Sequence, residues 1–238
     1  MYEQILVCGD IHGDYDVIPD FIKTLQLNNI AVIVAGDFGI GFETDIKEIR
    51  RLKYLNDRLK VSNSTVFAVR GNHDDPSYFN DKENYDTEKV KLVADYSILK
   101  LNNYNILCIG GAISIDRTKR SGYVLNHGNN YWKDENIIYK PEITKNLKDI
   151  DIIITHSAPD FCEPLTKSNL KYWLDNDVQL NFDIFKERST LTKIYNDLIN
   201  NGNNLKTWYY SHFHHHYNSI IDNVKFVGLN INEFEEIK

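Results

Sequence analysis

The sequence lacks the features of membrane, secreted and disulfide-stabilised proteins. Its 238 residues contain no run of about 18 apolar residues, which excludes a transmembrane helix. Only four apolar residues precede Gly9 without a break, with no cationic stretch before them, so we expect neither a signal peptide nor an anchor. Three widely spaced cysteines, Cys8, Cys108 and Cys162, predict reduced thiols and a cytoplasmic location rather than a disulfide framework.

A surplus of positive charge is also missing. Lys and Arg together number 27 against 34 Asp and Glu, which gives a formal net charge of −7. This balance excludes the uniformly basic surface of a protein that binds nucleic acid along its backbone, although a local basic patch stays compatible with it. A single α/β domain of this length buries enough surface to fold without a disulfide or a structural metal.

Short apolar strands alternate with amphipathic helices in the first part of the chain. The pattern predicts strands at 5–8, 30–35 and 65–69, with helices over 15–27 and 46–59. Such alternation indicates βαβ crossovers and a largely parallel sheet covered on both faces. After a polar excursion, strands at 90–101 and 105–109 are predicted to form a second, more meandering sheet. The remaining predicted elements are strands at 152–155 and 206–210, a helix within 182–199 and two strands after Tyr217.

No internal repeat or low-complexity linker divides the chain. We therefore expect one domain over residues 1–238 with a variable insertion around 115–140. The insertion contains several aromatic residues, namely Tyr123, Tyr131, Trp132 and Tyr139. These either stack on a flat group of a ligand or pack the insertion itself, and packing is the preferred interpretation.

Polar clusters follow the predicted strands at the point where each strand ends. They are Gly9-Asp10-Ile11-His12-Gly13, Gly36-Asp37, Gly71-Asn72-His73-Asp74, Thr155-His156 and Ser211-His212-Phe213-His214. The carboxyl ends of strands in an open α/β sheet border one crevice, so clusters that are distant in sequence are expected to converge there. The first three clusters are separated by roughly the 30 residues of one βαβ unit.

The composition of these clusters predicts a metal centre. Its candidate ligands are Asp10, His12, Asp37, Asn72, His156, His212 and His214. Buried carboxylates and imidazoles need partners that offset their desolvation, and divalent cations provide them. Mixed oxygen and nitrogen donors favour manganese, iron or zinc, and seven donors exceed the needs of one tetrahedral ion, so two ions are preferred. Isolated histidines near strand ends are more often turn residues, which is the role we assign to His127, His215 and His216.

With these five ordered motifs, which span nearly the whole chain, the sequence resembles the calcineurin-like metallophosphoesterase superfamily. The stretch 110–120 is similar to that of small bacterial and phage members. The resemblance implies an α/β fold, a four-layer α-β-β-α sandwich of two mixed β-sheets flanked by helices. It also implies hydrolysis of a phosphate ester by attack of a metal-bound hydroxide, with manganese as the expected metal and iron or zinc as alternatives.

The resemblance also implies roles for individual residues. Asp10, His12 and His214 would hold the first ion, Asp37 would bridge, and Asn72, His156 and His212 would hold the second. His73 would face the substrate as an acid or an orienting group, held by Asp74. The candidates for binding phosphate are Arg70, Arg117 and Arg120, with a solvated surface role equally compatible for the last two.

Two positions depart from the family pattern. Protein Ser/Thr phosphatases follow the second motif with an Asp-Arg pair, whereas this chain continues Gly36-Asp37-Phe38-Gly39, which disfavours a protein-phosphatase specificity. Ser211 stands where the family usually has glycine, and we expect this small-for-small exchange to be tolerated.

The leading prediction is a dinuclear metal-dependent phosphoesterase that acts on a phosphomonoester or a phosphodiester. One alternative within the same chemistry is a nucleotide or nucleic-acid phosphodiesterase, which the aromatic and arginine-containing insertion would suit. An alternative of another class is a non-catalytic scaffold that binds a protein on the same fold. Complete retention of the candidate ligands weakens this last alternative, and the sequence identifies no particular protein partner.

Overall fold

The computed structural model describes residues 1–122, 131–164 and 170–238. Tyr123, His127 and the part of the insertion at 123–130 lie outside these residues. The described strands are β1 (Ile5–Cys8), β2 (Ala31–Ala35), β3 (Thr65–Val69), β4 (Val90–Leu92), β5 (Ser97–Leu101), β6 (Tyr104–Ile109), β7 (Ile152–Thr155), β8 (Thr207–Tyr210), β9 (Tyr217–Ile221), β10 (Val224–Gly228) and β11 (Phe234–Glu236). The described α-helices are α1 (Val17–Thr24), α2 (Asp45–Val61), α3 (Pro76–Asn80), α4 (Arg117–Gly122), α5 (Pro141–Thr144), α6 (Leu170–Asn176) and α7 (Leu180–Asn200), and a 3₁₀ turn covers Lys82–Asn84.

The first sheet is parallel except at one edge. Its strand order among the described residues is β11-β1-β2-β3-β4. The pairs from β1 to β4 are parallel, with Val7 opposite Ile33 and Ile33 opposite Phe67, and β11 is antiparallel to β1. Helices α1 and α2 supply the crossovers that parallel neighbours require. The parallel pairing brings the carboxyl ends of β1, β2 and β3 to the same edge.

The second sheet is mixed in the same way. Its order among the described residues is β5-β6-β7-β8-β10-β9. The four inner strands are parallel to one another. The two edge strands are antiparallel to their neighbours, β5 to β6 and β9 to β10. The carboxyl ends of β6, β7 and β8 therefore share one edge as well.

Alternating side chains divide the apolar interior into three parts. Between the sheets, Val7, Ile33 and Val69 from the first sheet share one core with residues of the second sheet, among them Ile106, Ile154 and Tyr209. Intervening residues on the strands point to the outer faces, because successive side chains of a strand alternate in direction. There the first sheet packs on α1 and α2, and the second packs on α7. The result is the four-layer α-β-β-α sandwich expected from the sequence.

One strand prediction is wrong. The sequence predicts that 90–101 belongs to the second sheet, but β4 pairs with β3 in the first sheet and only β5 lies in the second. The chain crosses between the sheets at Asp95 and Tyr96, where Tyr96 has a left-handed φ of 66°. Apolar residues occur on both sides of this crossing, so hydrophobic periodicity carries no signal of the change of sheet. Strand β11 was not predicted, because Phe234-Glu-Glu236 contains a single apolar residue.

The cysteines agree with the sequence expectation. All three cysteines are free and buried, and burial raises the pKa of the Cys162 thiol to about 12. In the three described ranges, no helix combines the length and the apolar composition needed to cross a membrane.

Candidate metal centre

The predicted polar clusters of both sheets meet where the parallel strands end. The first sheet contributes Asp10 and His12 after β1, Asp37 after β2 and Asn72 after β3, and the second contributes His156 after β7 and His212 and His214 after β8. Asp10, Asp37, Asn72 and His156 are buried. The side chains of His12 and His214 are 31% and 45% exposed. The cluster therefore has a buried floor and a mouth open to solvent.

One group of candidate ligands consists of Asp10, His12, Asp37 and His214. One ligand atom from each lies within 4.8 Å of the others. Asp10 Oδ2 is 2.9 Å from His214 Nε2 and 3.6 Å from His12 Nε2, and the two Nε2 atoms are 3.3 Å apart.

The orientation of these atoms fits a cation. Asp10 Oδ2 is buried and accepts no hydrogen bond of regular geometry among the described residues, although His214 Nε2 lies 2.9 Å from it. A buried carboxylate oxygen without a well-aligned donor is costly. An oxygen and two ring nitrogens that converge in this way are the donor set that a divalent ion requires.

A second group forms around His156. Its Nε2 lies 3.1 Å from both Asn72 Oδ1 and Asp37 Oδ1. Its Nδ1 lies 2.9 Å from the carbonyl oxygen of Ala35 and 3.0 Å from Ser211 Oγ. When the ring is neutral and its proton on Nδ1 donates to Ala35, the Nε2 lone pair faces two oxygens. Three acceptors that face one another again fit a cation.

Asp37 belongs to both groups. Its Oδ1 faces His156, and its Oδ2 is 3.8 Å from His12 Nδ1. Oδ1 also accepts the backbone N–H of His73 at 2.7 Å. The two oxygens of one buried carboxylate thus point to two adjacent sets of donors, which is the placement that a bridging ligand needs.

His212 and Ser211 join the second sheet to this floor. The backbone N–H of His212 donates to Asp10 Oδ1 at 3.1 Å, and its ring packs on that of His156 with centroids 4.9 Å apart. Ser211 Oγ donates to the carbonyl oxygen of Ala35 at 2.5 Å. The serine that stands in place of the usual glycine therefore makes a hydrogen bond beside His156.

The backbone of the ligand segments is in an unusual conformation. Left-handed φ angles occur at His12 (46°), Asp37 (49°), His212 (67°) and His214 (52°). For residues other than glycine, this conformation costs roughly 1–3 kcal/mol each and concentrates at functional sites. The structure holds four such residues in one place, so the surrounding contacts must offset this cost.

Two motif glycines leave room for the ligands. A Cβ atom at Gly36 would lie 2.1 Å from His156 Nδ1, and one at Gly71 would lie 2.1 Å from Asp37 Oδ1. Both separations are far shorter than a van der Waals contact. Glycine at these positions is therefore required by the close approach of His156 and Asp37.

The buried carboxylates draw positive charge into the site. Burial raises the pKa of Asp37, but the rings of His156, His73 and His12 outweigh it and hold the pKa well below its usual range. Burial likewise lowers the pKa of His156, yet Asp37, Asp10 and hydrogen bonds raise it to about 9. Both shifts pair the buried carboxylates with positive charge. Without a metal the protonated His156 ring supplies this charge, and a cation that took the place of the Nε2 proton would supply it instead.

His73 lies at the mouth of the site. Its ring stacks on Phe42 with centroids 6.0 Å apart and contacts the His12 ring edge-on at 5.0 Å. Burial lowers the pKa of His73 to about 4 against the opposing effect of Asp37. The imidazole is therefore neutral near pH 7 and carries one N–H donor.

The expectation that Asp74 holds the His73 ring is corrected by the structure. Both carboxylate oxygens of Asp74 accept backbone N–H groups, at 2.6–3.1 Å. The donors are Phe38, Gly39, Ile40 and Gly71. Asp74 thus binds the loop that carries Asp37 to the loop that carries Asn72.

The three candidate arginines contact protein groups. Arg70 donates to the carbonyl oxygen of Glu135 at 2.8 Å and pairs with Asp95 at 2.9 Å. Arg117 pairs with Asp177 and Asp183, each at 2.7 Å. Arg120 donates to Ser114 Oγ at 2.5 Å. The structure brings Arg120 and Arg70 next to the loop that carries Asn72, where protein groups bind both, and it pairs Arg117 with aspartates.

Sequence reasoning missed a buried polar layer beside the ligands. Ser114, Glu135 and Glu187 are 1%, 1% and 6% exposed. Ser114 Oγ accepts a hydrogen bond from Asn72 Nδ2 at 3.0 Å, and Glu187 accepts one from the hydroxyl of Ser157, which follows His156. A glutamate in a polar insertion or on a helix resembles a surface residue in sequence, so no pattern marks these positions.

A cavity of about 330 Å³ opens over the candidate ligands. Asp37, Asn72, His73, His212 and His214 contribute to its lining. Its other described walls are Ile115, Asp116, Pro164, Trp173, Phe213 and Tyr217. The insertion residue Trp132 is instead buried and packs edge-on against Phe42, with centroids 5.1 Å apart.

Comparison with known proteins gives consistent results. A family model described as calcineurin-like phosphoesterase matches residues 4–216. The structure is similar to that of TT1561 of Thermus thermophilus, with 13% identity and a TM-score of 0.57 over 100% of this chain and 99% of that one. It is also similar to a dimetal phosphatase from Danio rerio, with 10% identity and a TM-score of 0.52 over 96% and 87%. These two likenesses concern the fold alone. No match was found among curated proteins.

The contacts of Asp74 predict that Asp74→Asn destabilises the chain. An amide keeps the volume but replaces one acceptor oxygen with a donor, which leaves two backbone N–H groups without an acceptor. Each unsatisfied buried donor costs about 1–3 kcal/mol, so we expect the free energy of unfolding to fall by at least about 2 kcal/mol. Urea denaturation in the presence of a chelator measures this loss without a contribution from metal.

The neighbouring substitution Asp75→Asn is the matched control. Asp75 caps α3 by accepting the N–H of Ser77 at 2.9 Å, and asparagine caps helices about as well as aspartate. Its expected change is within about 0.5 kcal/mol. Equal stability of the two variants would contradict the role assigned to Asp74.

Proposed function

The chain belongs to the calcineurin-like phosphoesterase family, and from this premise we propose that it is a dinuclear metal-dependent phosphoesterase acting on a phosphomonoester or a phosphodiester. The observation that carries the proposal is the position of Asp37. Its two carboxylate oxygens face two separate donor groups, His12 on one side and His156 on the other.

The proposed ligands divide between the two groups. Asp10, His12 and His214 serve the first ion, Asp37 bridges, and Asn72, His156 and His212 serve the second. Mixed imidazole and oxygen donors favour manganese, with iron or zinc as alternatives. When bound, two such ions supply Lewis-acid activation of water and neutralise the charge of the phosphate oxygens. Supporting features are the buried Asp10 Oδ2, which accepts no hydrogen bond of regular geometry among the described residues, and His156 Nε2, which lies 3.1 Å from two oxygens.

His73 is the proposed group for the substrate side. It lines the cavity beside Asp37 and Asn72, and its backbone N–H is held by Asp37. As an acid, His73 transfers a proton to the departing oxygen. This role requires that the bound anionic substrate raise the low pKa of His73, so that the ring is protonated. As an orienting group it donates one hydrogen bond from a neutral ring. The two roles differ in their dependence on the leaving group.

A nucleotide or nucleic-acid ester is the second candidate substrate. Trp173, Phe213 and Tyr217 line the same cavity as the candidate ligands, and aromatic side chains stack on bases of any sequence. A flat organic group attached to the phosphate therefore has suitable walls.

The proposal extends to the domain organisation and the cellular location of the protein. We propose a single domain over residues 1–238, supported by the core that both sheets share. The buried free thiols support a cytoplasmic location.

Loss of a proposed ligand is expected to abolish metal-dependent hydrolysis. Asp37→Ala or His156→Ala should each lower turnover of p-nitrophenyl phosphate and its bis ester by more than about 100-fold. Substitution of a residue that only hydrogen-bonds to a metal ligand already lowers activity by about 10–100-fold, and loss of the ligand itself is expected to cost more. The control is His216→Ala, an exposed residue paired with Glu233 at 2.7 Å, which should leave turnover unchanged.

Metal analysis of the same preparations separates the enzyme from a scaffold. The proposal expects about two bound ions per wild-type chain. Substantially less than one ion, together with no hydrolysis, favours the non-catalytic scaffold. Unchanged turnover in both ligand variants would contradict the assignment of the site.

The role of His73 predicts a leaving-group effect. If the ring is the acid, His73→Ala should reduce turnover of an alkyl phosphate by about 10²–10⁴-fold and that of p-nitrophenyl phosphate far less, since nitrophenolate departs without a proton. Steady-state rates on the two esters measure the difference. Equal losses on both identify an orienting hydrogen bond instead.

Salt dependence distinguishes nucleic acid from small esters. Binding along a nucleic-acid backbone releases counterions, so kcat/KM on an oligonucleotide should fall more than about 10-fold between roughly 50 and 200 mM salt. A mononucleotide should show little change over this range. Flat profiles for both exclude recognition of an extended backbone.

A further inference from the structure

A chain of buried hydrogen bonds holds the side-chain amide of Asn72. Asn72 Nδ2 donates to Ser114 Oγ at 3.0 Å, and Ser114 Oγ donates to Glu135 Oε2 at 2.6 Å. The backbone N–H of Ser114 donates to the other oxygen, Glu135 Oε1, at 2.7 Å. All three residues are at most 3% exposed, so water does not compete for these bonds.

The direction of donation along this chain is determined by its ends. Burial raises the pKa of Glu135 to about 7; above that pH the group is a carboxylate that only accepts, so the Ser114 hydroxyl proton points to Glu135. Arg120 Nη1 donates to the same Oγ at 2.5 Å, and an arginine only donates. The hydroxyl oxygen therefore acts as an acceptor toward Asn72, which turns the NH₂ of the amide toward Ser114. The amide oxygen is left facing His156 Nε2 at 3.1 Å.

The orientation of the Asn72 amide matters because its oxygen and its NH₂ group have almost the same shape, but one accepts and the other donates hydrogen bonds. The Asn72 oxygen can coordinate a cation, whereas the NH₂ group cannot. Ser114 and Glu135 are separated from Asn72 by long stretches of sequence, so their contact depends on the fold. Arg70, two residues before Asn72, donates to the backbone carbonyl of Glu135 at 2.8 Å and so ties the glutamate to the ligand loop.

We propose that Ser114 and Glu135 are positioning residues that orient the Asn72 amide and thereby set the affinity of the second metal site. The inference rests on the proposed dinuclear function. Neither residue touches substrate in this scheme; both act through Asn72. The side of Ser114 that faces Asn72 must stay an acceptor for the arrangement to work.

Two variants that alter the hydrogen bonds of Ser114 in different ways test the proposal. Ser114→Ala removes the acceptor, and Glu135→Gln keeps the shape but introduces a donor that can reverse the direction of the chain. In each we expect the first ion to bind as in the wild type and the second to bind about 10–100-fold more weakly. Calorimetric titration of Mn²⁺ into the chelator-treated full chain measures both affinities, and electron paramagnetic resonance reports loss of the coupled Mn²⁺ pair.

Matched controls use exposed residues of the same types. Ser121→Ala in α4 and Glu142→Gln in α5 should leave both affinities unchanged, because neither residue is part of the buried layer. Ser114→Thr restores a hydroxyl and should recover the second-site affinity to within about threefold of the wild type. Thermal unfolding of each apo-protein verifies that the chain is folded.

A double-mutant cycle separates orientation from general support. Aspartate presents an oxygen at either end, so it needs no orientation. In an Asn72→Asp background, Ser114→Ala should therefore weaken the second ion by less than about threefold, compared with 10–100-fold in the wild-type background. A merely structural role of Ser114 produces the same loss in both backgrounds.

The outcomes distinguish this inference from the proposed function. A wild-type chain that binds one ion overturns the dinuclear proposal and this inference with it. Two ions in the wild type and an unchanged second affinity in Ser114→Ala overturn the inference alone. If Ser114→Ala fails to fold, Glu135→Gln, alone and in the Asn72→Asp background, decides by the same criteria.

Discussion

Two carboxylates, Asp10 and Asp37, are buried together where the two sheets meet, and the rest of the site compensates the charge they introduce. Their exposed fractions are 0% and 1%, so water offsets little of their charge. Backbone N–H groups of His212 and His73 and nearby imidazoles supply part of the compensation. Because the carboxylates come from the first sheet and His156, His212 and His214 come from the second, neither sheet alone could assemble the cluster.

This demand explains the local backbone. The candidate ligands approach one another so closely that Gly36 and Gly71 have no room for a side chain. Four of these residues also have left-handed φ angles. Asp74 then fastens two of the loops by accepting four backbone N–H groups. The left-handed backbone, the two glycines and the buried carboxylate of Asp74 all accompany the close approach of charged residues at the strand ends.

Much of this arrangement could be predicted from the sequence, because short apolar strands such as 65–69 and 152–155 end in polar clusters that are visible in a linear pattern. The change of sheet near Asp95 is invisible because apolar residues continue across it. The partners of Asp74 were also beyond sequence reasoning, since it binds backbone groups more than 30 positions away, and backbone groups carry no side-chain signal. Glu135 lies in a polar insertion where a glutamate normally faces water, and only the fold shows that it is buried.

The contacts of the three arginines bear on which groups are available to bind a phosphate. Arg70 and Arg120 each donate to the layer around Ser114 and Glu135, and Arg117 is paired with two aspartates. Groups already held by protein acceptors are poorly available to clamp a phosphate. Under the proposed function, and within the described residues, the charge of a bound ester would therefore be met mainly by cations on the carboxylate floor and by the histidines at its mouth. The orientation of a single proposed ligand such as Asn72 would consequently affect phosphate binding more strongly here than in a site with a free arginine clamp.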